Sequence, residues 1–150
     1  MSIWFEGFIH IDCGIERVKE SLADLGVHSV GVVSLMPGLS KVELVDSGGD
    51  FVVIETNEGV MRRTNIHVGL GVGSVVVELD EDYKAGSLVT TKSHFREEFE
   101  ASDAGVEYRV VISSVETTGV LGFFYRKLGS SNTGNAFLRS CKTFLELGGR

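Results

Sequence analysis

The feature that most constrains this fold is a run of strand-like segments, separated by glycine-containing turns, that occupies residues 39–116. Apolar and polar residues alternate within these segments, a period of two that is typical of strands with one buried face. Turns this short join strands into antiparallel neighbours, because a parallel crossover needs about a dozen residues or more. The run therefore predicts six antiparallel strands: Lys41–Asp46, Asp50–Thr56, Val60–Val68, Ser74–Tyr83, Leu88–Glu100 and Val106–Val115.

A seventh strand is predicted at the start of the chain, over Ile3–Ile11, where apolar residues again alternate with polar ones. The next apolar residues recur at helical spacing: Ile15, Val18, Leu22 and Leu25. Asp12 or Cys13 is the predicted cap of this short amphipathic helix, and Gly26 is its predicted end. Residues 27–38 fit either a second short helix or a buried strand, because periodicity alone does not separate the two.

The spacing of apolar residues is helical again after Gly119 and stays so up to Gly148. Residues 129–134 either kink one long helix or separate two helices. One helix against one face of a seven-stranded sheet predicts a single α+β domain over residues 1–150. A strongly twisted sheet curls around such a helix, and the space between them is either filled by side chains or kept as a pocket.

This order of elements resembles the helix-grip fold of the superfamily of START-related lipid-transfer proteins, polyketide cyclases and plant pathogenesis-related allergens. Two local patterns carry the resemblance. The first is the segment FIHIDC at residues 8–13, which runs from the first strand towards the first helix; the second combines VLGFFYRKL at residues 120–128 with NAFL at residues 135–138 and FLE at residues 144–146. The resemblance implies a curved sheet wrapped around the C-terminal helix, one or two short helices after the first strand, and an internal cavity for an apolar molecule.

Strand alternation selects the side chains that face such a cavity. The inward sets predicted on the strands, together with the apolar stripe of the last helix, give these candidate ligand-cavity residues: Arg62, Thr64, Ile66, Val77, Thr91, Ser93, Phe95, Glu97, Tyr108, Val110, Ile112, Phe124, Phe137, Cys141 and Phe144. Ser114 is predicted to face inward on the last strand as well. Arg62 and Glu97 either face each other or a polar group of the ligand, or they lie near strand ends where water solvates them.

Other kinds of chemistry find little support in the sequence. The net charge of −7 and pI of about 5.1 disfavour a nucleic acid partner. The glycine-rich loop at residues 69–73 leads into a strand and not a helix, so it is interpreted as a hairpin connection and not a phosphate loop. The histidines show no metal-ligand spacing, so no metal or cofactor is expected. Strand alternation sends some residues of each acidic cluster, at residues 78–82 and 97–100, outward, so a solvated face is the favoured interpretation of these clusters.

The two cysteines, Cys13 and Cys141, are far apart in the sequence and are interpreted as buried thiols. Cys141 lies on the apolar stripe of the last helix, where a raised pKa and low reactivity are expected. Neither a signal peptide nor a membrane-spanning run is apparent, so a cytoplasmic monomer or homodimer is expected.

Three functions remain open from the sequence. The first is binding or transport of a hydrophobic small molecule, such as a lipid, an isoprenoid or a polyketide. The second is a polyketide cyclase-like or dehydratase-like enzyme that uses Glu97, Tyr108 or Arg62 for proton transfer. The third is a protein-interaction module without a ligand, for which Trp4 and Phe8 on the outer side of the first strand form a candidate patch.

Overall fold

A computed structural model describes residues 2–86, 89–118 and 130–148. Its elements, in chain order, are β1 (Ile3–Ile11), α1 (Ile15–Leu22), α2 (Leu25–Val33), β2 (Val42–Ser47), β3 (Val52–Thr56), β4 (Gly59–Gly71), β5 (Ser74–Ala85), β6 (Val89–Ser102), β7 (Gly105–Thr118) and α3 (Ser130–Gly148). The predicted α+β fold with a seven-stranded antiparallel sheet is confirmed.

The seven strands form one sheet in the order β1-β7-β6-β5-β4-β3-β2. Every neighbouring pair is antiparallel, and the strands from β2 to β7 follow one another along the chain as hairpins. The first two strands of the chain, β1 and β2, lie at opposite edges of the sheet. The connection between them therefore has to cross from one edge to the other, and α1 and α2 make that crossing.

Of the two structures predicted for residues 27–38, the short helix and not the buried strand is observed, because α2 continues to Val33. The predicted caps of the first helix were wrong. Gly14 is the N-cap of α1 and makes no side-chain cap, and the helix already ends at Leu22. The Asp24 carboxylate caps α2 by accepting a hydrogen bond from the Val27 backbone N–H at 3.1 Å. The two helices are therefore separated at this aspartate and not at Gly26, which lies inside α2.

Two bulges shift the inward alternation of the long strands. Asn65 in β4 has φ +52° and Ser114 in β7 has φ +54°, a left-handed backbone conformation that residues other than glycine rarely adopt. The strand register shifts at both places, between Thr64 and His67 and opposite Lys92–His94. Ser114 is consequently exposed, which corrects its predicted inward position.

The C-terminal helix α3 lies on the concave face and packs closely at two glycines. A Cβ atom built on Gly134 would lie 2.3 Å from the Phe5 ring of β1, and one on Gly31 of α2 would lie 2.1 Å from the Phe144 ring of α3. Both distances are impossible for real carbon atoms, so these positions require glycine for the helix to approach the sheet and α2. The helix is continuous from Ser130 to Gly148, so no break lies within residues 130–134; residue 129 and the segment before it lie outside the described residues.

The convex face carries charged side chains that pair with one another. Arg109 bonds Glu6 and Glu98, and Arg96 bonds Glu78 and Glu98. This arrangement agrees with the solvated face predicted for several of the acidic residues. Phe8 is 70% exposed on this side. No helix among the described residues is long and apolar enough to cross a membrane.

Candidate ligand-binding site

A pocket of about 380 Å³ lies between the C-terminal helix and the concave face of the sheet. Its size falls at the lower end of the range of small-molecule sites, roughly 300–1,000 Å³. Ten apolar and six polar residues line it: Val33, Met36, Pro37, Leu39, Met61, Ala85, Val89, Phe95, Ile112 and Phe137, with Glu58, Arg63, Glu81, Tyr83, Thr91 and Thr133. We call this region the pocket half of the molecule.

Arg63 is the buried cation of the pocket half. Its side chain is only 5% exposed, and its Nε donates a hydrogen bond to the Glu81 carboxylate at 3.0 Å. The guanidinium carbon lies 5.4 Å from the ring centre of Phe95 and 5.5 Å from that of Phe137. Opposite charge and two ring faces therefore hold the guanidinium in place, which offsets the cost of removing it from water.

The prediction that Arg62 and Thr64 line the cavity was wrong. Both side chains are exposed, whereas Arg63 is buried. The bulge at Asn65 is the physical reason: the inward residues of β4 are odd-numbered before it and even-numbered after it, as in the buried Ile66. Of the alternatives left open for Arg62 and Glu97, solvation holds for Arg62 only, because Glu97 is buried; the buried pair of the pocket is Arg63 with Glu81.

Tyr83 forms part of the pocket wall next to the β3–β4 turn. Its hydroxyl donates to Glu58 Oε1 at 2.9 Å and lies 3.3 Å from the Thr56 hydroxyl. Burial, more than any other cause, raises the pKa of Tyr83 to about 12. The hydroxyl therefore stays protonated at neutral pH, where it is a hydrogen-bond donor and a poor base.

The same turn is bonded to the loop that follows α2. The Asn57 side chain donates to the Gly38 carbonyl at 3.1 Å and accepts from the Ser40 backbone N–H at 3.0 Å. Pro37 and Leu39 of this loop line the pocket. Asn57 thereby fixes one wall of the pocket half.

The other half of the space under α3 is filled by side chains, and we call it the packed half. The rings of Phe99 and Tyr108 stack with their centres 4.5 Å apart, and both residues are almost completely buried. The Tyr108 hydroxyl donates a hydrogen bond to the buried Glu97. Cys141 of α3 completes this group, and it interacts electrostatically with both Tyr108 and Glu97.

Burial is the largest cause of the pKa shifts of the ionisable side chains in the packed half. It raises the pKa of Glu97, although the hydrogen bond from Tyr108 and the charge of Arg63 act in the opposite direction. Burial also raises the pKa of Tyr108 and that of Cys141 well above their usual values. The expected low reactivity of Cys141 agrees with this, because the thiolate is the nucleophilic form. Cys13, predicted to be buried, is half-buried.

The fifteen predicted residues do not all lie in the pocket. Those that line the pocket are Thr91, Phe95, Ile112 and Phe137, and Ser93 lines a smaller space of about 40 Å³ beside it. Those within the buried core are Ile66, Val77, Glu97, Tyr108, Val110 and Cys141. Phe144 is half-buried against His28 and Arg17. Arg62 and Thr64 are exposed, and Phe124 lies outside the described residues.

The sequence-based selection missed several lining residues, among them Arg63, Glu81 and Tyr83. A signal for Arg63 was present: Asn65 stands in the middle of a long strand, and asparagine tolerates the left-handed conformation that a bulge requires. Trp4 was also misplaced. It is half-buried and lines the smaller space beside the pocket, and is not on the outer side with Phe8.

Within the described part of the chain, no group of histidine, cysteine, aspartate and glutamate side chains has the arrangement of a metal site. The ionisable side chains that line the pocket are already engaged with each other, Arg63 with Glu81 and Tyr83 with Glu58. This arrangement suits the binding of an apolar molecule at its polar end better than it suits proton transfer at neutral pH.

No family model matches the sequence. No curated protein matches it either. Similarity to solved structures is clear, and it extends over nearly the whole chain.

A STAR-related lipid transfer protein from Xanthomonas axonopodis aligns with a TM-score of 0.61 and 13% identity, over 93% of this chain and 84% of that one. The protein Ara h 8.0201 aligns with a TM-score of 0.55 and 13% identity, over 94% of this chain and 95% of that one. The Zhui aromatase/cyclase from Streptomyces aligns with a TM-score of 0.50 and 16% identity, over 97% and 94%. These likenesses establish the helix-grip fold that the order of elements predicted.

Proposed function

We propose that this chain binds an apolar small molecule in the pocket half, between α3 and the sheet. The single observation that carries the proposal is the composition of the pocket: ten of its sixteen lining residues are apolar, and they surround a space of about 380 Å³. Concave apolar sites with a few polar groups are the usual form of small-molecule sites. A lipid, an isoprenoid or a polyketide-like molecule fits this description.

The experiment is native mass spectrometry of the freshly purified protein, followed by organic extraction and identification of any released molecule. We expect a discrete apolar species bound to the chain. A mass corresponding to the bare chain, unchanged by a panel of lipids and polyketides, would contradict the proposal.

Two tryptophan variants of adjacent residues make this experiment specific for the pocket. Thr91 lines the pocket, whereas Thr90 is its neighbour on the same strand and therefore points to the opposite face. We expect Thr91→Trp to fill the space and remove the bound species, while Thr90→Trp retains it. Equal binding by the two variants would show that the molecule binds elsewhere.

A cyclase-like or dehydratase-like activity is the second candidate. The observation that favours it is the presence of two polar groups, the Tyr83 hydroxyl paired with Glu58 and the Arg63 guanidinium, in the wall of the same apolar pocket. We expect an enzyme to lose turnover of a poly-β-ketone in Tyr83→Phe while it still binds the substrate. Absence of turnover by the unmodified chain would leave binding as the function, and unchanged turnover in the variant would exclude Tyr83 from the reaction.

A further inference from the structure

The hydrogen bonding of Arg63 is incomplete. Nε donates to Glu81, but the two Nη groups donate no hydrogen bond to any described residue. No fully enclosed side-chain nitrogen or oxygen among the described residues lacks a partner. The Nη groups therefore border open space, and Arg63 is one of the residues that line the pocket. A side chain that is 5% exposed thus presents unused donors to the pocket.

The geometry of these donors indicates what they bind. The two Nη groups form one edge of a rigid planar fork, which recognises oxygen acceptors. Contact with the rings of Phe95 and Phe137 holds the guanidinium in place before any ligand arrives. Because the rings are apolar, the acceptor has to be carried by a molecule whose remainder is apolar too.

The charge of the site decides between a charged and an uncharged acceptor. Glu81 is itself largely buried and already neutralises Arg63, so the pair carries no net charge. A carboxylate ligand would place a second negative charge beside Glu81 and leave the buried group with a net charge of minus one, which is costly. An uncharged oxygen acceptor takes up the same hydrogen bonds without that cost.

We propose that the ligand of the pocket half is an apolar molecule with an uncharged oxygen acceptor, such as a ketone or ester carbonyl, bound by the Nη groups of Arg63. The inference rests on the proposed function, because it assigns the polar end of the same ligand. Arg63 selects for the oxygen acceptor of the ligand, and the apolar lining binds the apolar remainder of the ligand.

The test uses three probes with the same two-ring body: 2-acetylnaphthalene, 2-ethylnaphthalene and 2-naphthoate. Their dissociation constants are measured by equilibrium dialysis against the full chain. We expect the ketone to bind about tenfold more tightly than the ethyl compound, the effect of roughly one hydrogen bond to a charged donor. The carboxylate is expected to bind more weakly than the ketone.

The matched variants are Arg63→Met combined with Glu81→Leu, and Arg62→Met. The double variant removes both charges, since removal of Arg63 alone would leave Glu81 buried without a partner. In the double variant we expect the ketone preference to disappear while the ethyl compound still binds. In Arg62→Met the tenfold preference is expected to remain, because this side chain is exposed.

Three outcomes would overturn the inference but not the proposed function: equal binding of the ketone and the ethyl compound to the unmodified chain, tightest binding of the carboxylate, or a ketone preference that survives in the double variant. Failure of all three probes to bind would overturn the proposed function, and the inference with it.

Discussion

The packed half and the pocket half are built on the same strands and the same helix, yet one is filled and the other leaves about 380 Å³ of space. On β6, Phe99 lies in the packed half and Thr91 in the pocket half. On β7, Tyr108 and Ile112 are divided in the same way. The same strands and the same helix border both regions, so the side chains that they carry at each position decide which region is filled.

The two halves also differ in how they use polar groups. In the packed half, Glu97, Tyr108 and Cys141 satisfy one another within the core. In the pocket half, Arg63 is held by Glu81 through Nε alone. The comparison shows that a buried polar group can stabilise a core when its bonds are complete, and can form a recognition site when some of them are left open.

The largest expected effect separates the two halves by their packing. Phe99→Ala removes a ring that is 1% exposed and stacked on Tyr108, so we expect a loss of roughly 4 kcal/mol in the free energy of unfolding. Phe95→Ala, four residues away on the same face, should cost clearly less, since one side of its ring borders the pocket. Urea unfolding of both variants measures the difference. Equal losses would show that the two halves are packed alike.

A second expected effect concerns stability in acid and involves the buried His28 of α2. Burial lowers the pKa of His28 to about 3, below its value in the unfolded chain. The unfolded state therefore binds the proton first, and stability is lost as the pH falls from about 6.5 towards 3. The linkage relation gives a loss of roughly 3 kcal/mol by pH 4.

The variant His28→Asn isolates this contribution. Other groups titrate in the same range, and Glu97 acts in the opposite sense, because burial raises the pKa of Glu97 and its protonated form favours the folded state at low pH. The difference in unfolding free energy between the unmodified chain and the variant should therefore change with pH in the direction given for His28. Parallel curves from pH 7 to pH 4 would contradict the burial of a neutral His28.

The smallest expected effect is at Arg62. Its side chain is exposed, so Arg62→Met should change the free energy of unfolding by about 0.5 kcal/mol or less. Arg63→Met should cost roughly 3 kcal/mol, because it leaves the largely buried Glu81 without its cation. Thermal unfolding of the two variants distinguishes them. A larger loss in Arg62→Met than in Arg63→Met would contradict the bulge at Asn65, which turns Arg63 inward.

The strands and turns could be predicted from the sequence because each depends on local features. Alternation marked all seven strands, and residues such as Gly73 marked their turns. The order of elements then led to the helix-grip fold. Three residues of the pocket lining, Thr91, Phe95 and Ile112, also followed from strand alternation, and Phe137 followed from the helical spacing of apolar residues.

The missed features depend on the register between strands and on contacts that are distant in the sequence. Strand alternation assigns side chains to a face correctly only up to the next bulge. The bulge at Asn65 therefore made the prediction place Arg62 inward, whereas Arg63 is the residue that faces inward. The division between packed and pocket halves depends on which side chains of α3 lie over which strand positions. Single-sequence patterns do not contain that information.

The most direct test of the two-half account is an isoleucine-methyl NMR titration with 2-ethylnaphthalene. Ile112 lines the pocket, whereas Ile11 is fully buried in the core at the end of β1. We predict that the Ile112 methyl resonance shifts with saturation and that the Ile11 resonance does not. A shift of both methyl groups, or of neither, would contradict a binding site confined to the pocket half.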